Sequence, residues 1–277
     1  MVCLLLVLLS CLTEAGGQEG MPAGSGQVAI TVPSLSEDEI REKVLEQLGL
    51  TEENIYDRFY KCRTLPWDET RAAIILPEIS SFKDYNNHVL DAYVLVVNRA
   101  DGKILHRYYQ SAEWISDADG ESKREIFDIT FDFVPYRVCP ERRAFGVRTE
   151  YMSSNMDPWT CQLLSLFLPG EETGMPLDQI LFNFEVFSNR GEWDEGKSGE
   201  AGTFREAKTV LIISDRINNH GYADIIAKTR VKEYVQSGTK EGEPVVVSTK
   251  DVTATAGGTR VLSFDGAVYF DPESEGL

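Results

Sequence analysis

Residues 125–134 read EIFDITFDFV, and this is the clearest alternation of apolar and polar residues in the chain. Apolar side chains recur at every second position: Phe127, Ile129, Phe131 and Phe133. The positions between them are polar: Asp128, Thr130 and Asp132. A period of two is typical of a strand with one face on the core. We therefore expect a strand whose aspartates face solvent, because like charges on one face disfavour burial.

Along most of the chain, short runs of β-branched or aromatic residues are separated by turn residues, and these runs also predict strands. The segment Arg99-Ala100-Asp101-Gly102 lies between two such runs and carries the Asp-Gly signal of a β-hairpin. Further strands are expected at 72–76, 92–97, 103–109, 144–151, 162–168, 181–187, 209–214, 222–235, 244–249 and 260–264. Many short strands predict a mainly β (α+β) fold, built as an antiparallel sandwich, barrel or propeller-like set of sheets.

A helical segment at residues 34–66 precedes these strands. Ser36 and Glu39 form a capping box, and apolar residues at helical spacing follow before Gly49. Thr51 is placed to begin a second short helix, which we expect to continue to about Lys61. The β-rich domain should then occupy residues 70–277. A glycine-rich polar interruption near residues 191–203, in which no strand should persist, marks a candidate boundary between two subdomains.

Composition limits the function classes. The 277 residues carry 27 Lys+Arg against 45 Asp+Glu, a formal charge of −18. Nucleic acids bind to positive surfaces, so we expect no nucleic-acid partner. A strongly negative surface instead accelerates encounter with cationic proteins. A protein partner of positive charge is therefore the interaction that the composition favours.

The first residues predict the location. An apolar run from Leu4 to Leu9 is followed by Ser10 and Cys11, and Leu8-Leu9-Ser10-Cys11 resembles the lipobox of bacterial lipoproteins. This resemblance implies a signal peptide at residues 1–10, a lipid anchor on Cys11, and placement in the bacterial envelope, at the outer membrane or in the periplasm. Residues 11–33 contain several glycines and few large apolar groups, and they predict a flexible tether. A secretory peptide cut near Ala15 and a buried terminal strand are the alternatives.

Three cysteines lie beyond the leader: Cys62, Cys139 and Cys161. In an oxidising compartment two of them could pair, and Cys139 with Cys161 is the pairing we expect, because both lie in the β region.

The search for chemistry gives few candidates and no catalytic residue. His106 lies in a predicted strand and is expected to be a packed or surface ring, whereas His220 lies in a turn sequence and should be exposed. Asp117, Asp119 and Glu121 occupy one short loop that could hold calcium, although the EF-hand pattern fails because Ile126 stands where its bidentate glutamate belongs. No other cofactor is expected.

Two tryptophans in predicted loops or strand ends, Trp159 and Trp193, are candidates for a binding platform. The alternative is that they close the end of a sheet core.

Several short segments suggest a resemblance. They are Arg143–Arg148, Leu164–Phe167, Gly191–Asp194, Gly221–Ile226 and Leu262–Gly266 with Tyr269. Together they resemble uncharacterised bacterial envelope lipoproteins, and the final segments are similar to periplasmic β proteins of the lysozyme-inhibitor type. The resemblance carries over no catalytic residue.

Three functions stay open at this point. The first is a non-catalytic, envelope-tethered binding protein, such as an inhibitor or immunity protein against a cationic envelope-acting protein. The second is a glycan hydrolase with a carboxylate pair drawn from Asp117, Asp119, Asp128 and Asp132. The third is a structural component of a surface assembly.

Overall fold

The computed structural model describes residues 34–84, 87–116, 125–153, 158–194, 201–240 and 243–273. These residues fall in one compact unit. The fold is mainly β, with antiparallel sheets in a sandwich-like arrangement and a short helical segment at its beginning, as predicted. Among the described residues, no helix combines the length and the apolar character needed to cross a membrane.

The first helix, α1, spans Glu37–Leu48 and confirms the predicted capping box. The Ser36 hydroxyl accepts a hydrogen bond from the Glu39 N–H, and the Glu39 carboxylate accepts one from the Ser36 N–H. The helix ends at Gly49, whose φ of 70° suits a residue without a side chain.

The predicted second helix is wrong. Two single 3₁₀ turns, Glu52–Asn54 and Asp57–Phe59, take its place. The Tyr56 N–H donates to the Pro77 carbonyl, and Ile55 forms a β-bridge with Glu78. These bonds tie the chain to a neighbouring strand, so its backbone groups are not available for a continuous helix.

The first sheet has four antiparallel strands in sequence order: β1 (Lys61–Leu65), β2 (Asp68–Asp84), β3 (Asn87–Asn98) and β4 (Ile104–Ser116). The predicted hairpin joins β3 to β4, and Gly102 adopts a positive φ of 73° in its turn. The strand β1 begins inside the segment that the sequence assigned to helices, and β2 and β3 extend well beyond their predicted runs.

The second sheet has nine strands. They are β5 (Glu125–Tyr136), β6 (Ala144–Ser153), β7 (Trp159–Pro169), β8 (Leu177–Trp193), β9 (Ala201–Ile217), β10 (Ala223–Lys240), β11 (Glu243–Asp251), β12 (Gly258–Phe264) and β13 (Tyr269–Phe270). Their spatial order is β13-β12-β10-β9-β8-β7-β6-β5, and β11 also pairs with β10. A four-residue helix, α2 (Thr253–Ala256), lies between β11 and β12 in the chain.

Three apolar clusters hold the layers together. The first joins β2–β4 to β5–β8 and includes Ala73, Val94, Val96, Ile129, Phe145 and Phe167. The second covers the opposite face of β6–β8 with the beginning of β10, β12 and β13, and includes Leu164, Leu166, Ile180, Ile225 and Leu262. The third packs α1 on the outer face of the first sheet and includes Ile40, Val44, Ile74, Leu76, Leu95 and Val97.

The face assignment of the 125–134 stretch is partly wrong. Ile126 and Ile129 are buried while Phe127 is 48% exposed, because the β5–β6 register shifts between Ile126 and Asp128. An extra residue at such a bulge reverses the alternation on one side of it. Asp132 is buried rather than solvent-facing, since the second cluster covers that face of the sheet.

The predicted loss of strand structure over 191–203 is wrong at both ends of this stretch, and residues 195–200 lie outside the described part of the chain. The strand β8 continues through Gly191 to Trp193, β9 begins at Ala201, and Trp193 pairs with Gly202. The two strands are therefore antiparallel neighbours in one sheet.

Candidate functional site

The site begins with a bulge in β4. Leu90 and Ala92 of β3 pair with Trp114 and Gln110, so β4 carries extra residues opposite Asp91. Ala112 in this bulge has a φ of 51°, a strained value for a residue with a side chain. Asp91 stabilises this backbone conformation, because its carboxylate accepts a 2.8 Å hydrogen bond from the Ala112 N–H.

The same carboxylate organises two further groups. The Tyr109 hydroxyl donates to Asp91 at 2.7 Å, and Ser111 donates from 3.5 Å. Burial raises the pKa of Asp91, but the bonds from Ala112 and Tyr109 outweigh it, and the pKa lies below its ordinary value. Asp91 is therefore a fixed negative charge beneath the surface, 7% exposed.

Glu78 on β2 lies directly opposite Asp91 on β3. Cross-strand neighbours in an antiparallel pair have Cβ atoms about 4.5–5.5 Å apart. Burial, and then the charge of Asp91, raise the pKa of Glu78 above its ordinary value. The pKa values of the two acids are thus shifted in opposite directions. The shift favours the ionised form of Asp91 and the neutral form of Glu78.

Two tyrosines complete this surface. Tyr93 and Tyr109 are cross-strand neighbours with ring centroids 4.7 Å apart. Tyr109 is 45% exposed and Tyr93 is half-buried. Burial and the charge of Glu78 raise the pKa of Tyr93 to about 12. We call the surface formed by Glu78, Asp91, Tyr93 and Tyr109 the acidic tyrosine face.

The acidic tyrosine face lies beside the helical segment. Ile55 bridges to Glu78, which brings the 3₁₀ turns against β2. Acidic side chains on α1 and these turns are exposed: Glu37, Asp38, Glu39, Glu42, Glu46, Glu52, Glu53 and Asp57. Arg41 forms ion pairs with Glu52 and Asp57. Arg63 forms an ion pair with Glu37 at 3.5 Å. The remaining acids in this set extend the negative potential of the face toward α1, which favours approach of positively charged groups.

The predicted binding tryptophans lie elsewhere. Trp159 begins β7 with the Arg190 guanidinium 5.7 Å from its ring centroid, and Trp193 ends β8 in edge contact with Phe204 at 4.8 Å. Trp159 pairs with Arg190, so both tryptophans lie at the same end of the β7–β8 pair. Each is half-buried.

Of the four aspartates predicted to supply a carboxylate pair, the two that the structure describes, Asp128 and Asp132, have separate partners. Asp128 lies 3.7 Å from the Lys61 amine. Asp132 accepts hydrogen bonds from the Arg148 Nε at 2.8 Å and the Tyr136 hydroxyl at 2.9 Å, so it is a buried structural acid. Four residues of strand place the two Cα atoms about 13 Å apart, beyond the separation of a glycosidase pair. Asp117 and Asp119 lie outside the described residues.

The predicted disulfide between Cys139 and Cys161 does not form. Cys139 precedes the first residue of β6, whereas Cys161 lies on β7 beside the other end of β6. Cys161 pairs with Tyr151, whereas Cys139 follows the β5–β6 pairing of Tyr136 with Ala144. Residues 144 and 151 of one strand are about 23 Å apart, and a disulfide needs Cα atoms within about 7 Å. The third thiol, Cys62, is buried under α1, and burial raises its pKa to about 11.

Two histidines have the environments expected of them. His106 is buried with its Nδ1 3.1 Å from the Met175 carbonyl, and burial lowers its pKa. His220 is exposed in the turn before β10.

Two predicted sites cannot be placed. Cys11 and the calcium candidates Asp117, Asp119 and Glu121 lie outside the described residues. Within the described ranges, no group of three or more His, Cys, Asp or Glu side chains is arranged to hold a metal ion.

Sequence reasoning missed the acidic tyrosine face. Glu78 and Asp91 are thirteen positions apart, and neither belongs to a local motif. The available signal was a pair of acids interrupting the apolar runs of two adjacent predicted strands. Their pairing follows from the hairpin register, which the local pattern did not reveal.

Comparisons with known proteins matched no family model, no curated protein and no solved structure to this chain.

Proposed function

We propose that this chain is a non-catalytic binding protein that docks a cationic protein on its acidic tyrosine face. One observation carries the proposal: the Tyr109 hydroxyl donates to the nearly buried Asp91, the Tyr93 ring packs against the Tyr109 ring, and a second acid lies directly opposite Asp91. An aromatic ring and a carboxylate together attract a lysine ammonium or an arginine guanidinium.

The physical basis is a division of roles. Asp91 is held by the bulge, so its charge and the position of Tyr109 are fixed before a partner arrives. A preorganised surface loses little conformational entropy on binding. A cation over a tyrosine ring contributes about 0.5–2 kcal/mol, depending on how much water is removed. The exposed acids of α1 and the 3₁₀ turns increase the rate of encounter.

The direct test is a calorimetric titration of the protein with a decalysine peptide at low salt. Tyr109→Ala should weaken binding by about 3–30-fold, because it removes the exposed ring. Glu78→Gln should weaken it less. The matched control is Asp215→Asn, which removes one exposed negative charge on β9 and should leave binding nearly unchanged. Equal weakening by Asp215→Asn and Glu78→Gln would indicate attraction to net charge alone and contradict the proposal.

We further propose that the chain is anchored in the bacterial envelope through a lipid on Cys11, with residues 11–33 as the tether. In that location an inhibitor or immunity role against a basic envelope-acting protein is the most concrete version of the binding function. Labelling of expressing bacteria with an alkyne fatty acid tests the anchor. The label should appear on the wild-type protein and disappear in Cys11→Ser, and label retained in Cys11→Ser would refute the anchor at this residue.

A second candidate function, glycan hydrolysis, is favoured by one specific observation. Glu78 and Asp91 are close neighbours whose pKa values shift in opposite directions, the pattern of an acid and an ionised partner. Release of reducing sugar from bacterial glycans, lost in both Glu78→Gln and Asp91→Asn, would support hydrolysis over binding. Absence of any turnover by the wild-type chain would remove this candidate.

A further inference from the structure

A cleft at one end of the sandwich combines arginines with a tryptophan. It has a volume of about 440 Å³ and lies between the β1–β2 turn, the β5–β6 connection and the start of the β7–β8 connection. Its principal lining residues are Trp67, Arg71, Glu141, Arg142, Arg143 and Glu171. Clefts of this size are typical of small-molecule sites. None of these residues belongs to the acidic tyrosine face.

Two of the three arginines are not neutralised by the described residues. Arg71 forms an ion pair with Asp68 at 3.1 Å. Arg142 and Arg143 are half-buried, and neither forms an ion pair with a carboxylate in the described ranges.

The guanidinium groups are nevertheless held in place. Arg142 donates a hydrogen bond to the Tyr222 hydroxyl, and Tyr222 in turn stacks on Phe264 with centroids 4.0 Å apart. Arg143 lies over the Trp67 ring at 5.9 Å. Trp67 is itself fixed by an edge contact with Phe133 at 6.1 Å. Both cations are therefore positioned by aromatic groups, which leave their remaining N–H donors available.

The rim limits the class of ligand. Glu141 and Glu171 are exposed and line the same cleft. Their charges would repel a ligand with several negative groups, so a polyphosphate or a nucleic acid does not fit. An anion with one carboxylate or phosphate group can bind to the guanidinium forks, where bidentate hydrogen bonds are strong. Trp67 supplies an aromatic surface for a flat, apolar body attached to that group.

We propose that this cleft binds a small ligand with a single carboxylate or phosphate group and a flat apolar body. Arg142 and Arg143 hold the anionic group, and Trp67 contacts the body. The site is independent of the acidic tyrosine face, so it can fail or succeed separately from the proposed binding of a cationic protein.

The test titrates the full chain with three probes: benzoate, phenyl phosphate and inorganic phosphate. Binding of each probe is measured by calorimetry and by the NMR shifts of the tryptophan indole N–H groups. Saturable binding of benzoate or phenyl phosphate is expected, and the tighter of the two identifies the anionic group. Arg142→Gln and Arg143→Gln should each weaken binding about tenfold, and Trp67→Leu should weaken the aromatic probes more than inorganic phosphate. Arg190→Gln, at an exposed arginine beside Trp159, is the matched control.

Several results would overturn the proposal. No saturable binding of any probe up to about 10 mM would refute the site, since weaker affinity carries no specificity. Equal loss in Arg190→Gln and Arg143→Gln would indicate attraction to charge in general. Equal affinity for inorganic phosphate and phenyl phosphate would contradict the role of Trp67. Circular dichroism of each variant shows whether a loss of binding comes from unfolding.

Discussion

The outer face of the first sheet has two halves that differ in what covers them. On one half Ile74, Leu76, Leu95 and Val97 are fully buried beneath α1. On the other half the same strands carry Glu78 and Asp91 at positions of the same alternation, and Tyr93 lies at the border, packed against the cluster beneath α1. The strands are continuous across both halves. The change from apolar to acidic and aromatic side chains therefore marks where the cover of the helix stops and the proposed binding surface begins.

The two halves contribute to stability in different ways. The covered half contributes to folding by removing apolar area from water, about 25 cal/mol per Å². The open half uses residues that a core excludes, and it compensates with hydrogen bonds such as those from Ala112 and Tyr109 to Asp91. Substitutions in the two halves should consequently differ in both size and kind.

The largest effect is expected in the covered half. Leu95→Ala removes a fully buried side chain beneath α1 and should lower the free energy of unfolding by about 2–5 kcal/mol, because it leaves a cavity. Urea denaturation measures the loss. Val210→Ala is the control, since Val210 is 62% exposed and its truncation should stay within about 0.5 kcal/mol. Similar losses for both variants would contradict the assignment of this half to the core.

A smaller effect is expected at the centre of the open half. Asp91→Ala should lower the free energy of unfolding by about 1–3 kcal/mol at neutral pH, because it leaves the Ala112 N–H without its acceptor. Asp91→Asn keeps an oxygen acceptor and should cost less. The folded-state pKa of Asp91 is lowered, so its contribution is present above the unfolded pKa and is lost as the pH falls through the folded value. Denaturation curves at several pH values should show the gap between wild type and Asp91→Ala narrowing in acid.

The sequence predicts the apolar elements well and predicts poorly the features that depend on strand register. Apolar runs on predicted strands and the helical spacing of Ile40 and Val44 are local patterns, and they sufficed for the β class and for α1. The bulge at Phe127 and the burial of Asp132 depend on strand register and on a covering layer. Neither property is encoded within a short window of residues.

The candidate site shows the same limit. Glu78 and Asp91 are close to each other only because β2 pairs with β3 in this register. The placement of Tyr109 depends on a bulge in β4. The disulfide prediction failed for a related reason. Cys139 and Cys161 are close in sequence, but two antiparallel strands carry them to opposite ends of β6.

A further prediction concerns the border between the two halves, which the position of α1 sets. Ser36→Ala removes the hydroxyl that accepts from the Glu39 N–H and should lower the free energy of unfolding by about 1 kcal/mol. Ser36→Thr retains an acceptor and should cost little. Thermal denaturation compares the two variants with wild type. A loss in Ser36→Thr as large as in Ser36→Ala would show that the hydroxyl does not act as the cap.

The smallest effect, and the only gain, is expected at Glu78. Its folded-state pKa is raised by burial and by the charge of Asp91, so the folded state binds this proton more tightly than the unfolded state. Stability from this group is therefore full in acid and falls as the pH rises from the unfolded pKa through the folded one. Glu78→Gln removes the ionised form and should raise the free energy of unfolding at about pH 7, by no more than about 0.5 kcal/mol.

At about pH 3 the glutamic acid is protonated in both states, and wild type and Glu78→Gln should then unfold at the same urea concentration. An NMR titration of the side-chain carboxyl supplies the independent measurement. The pKa of Glu78 should lie above 4.5 in the wild type and move down toward it in Asp91→Asn, because that variant removes the opposing charge. If Glu78→Gln instead destabilises the chain at neutral pH, the hydrogen bond between Tyr93 and the Glu78 carboxylate outweighs the repulsion from Asp91, and the assignment of Glu78 as a net unfavourable charge is refuted.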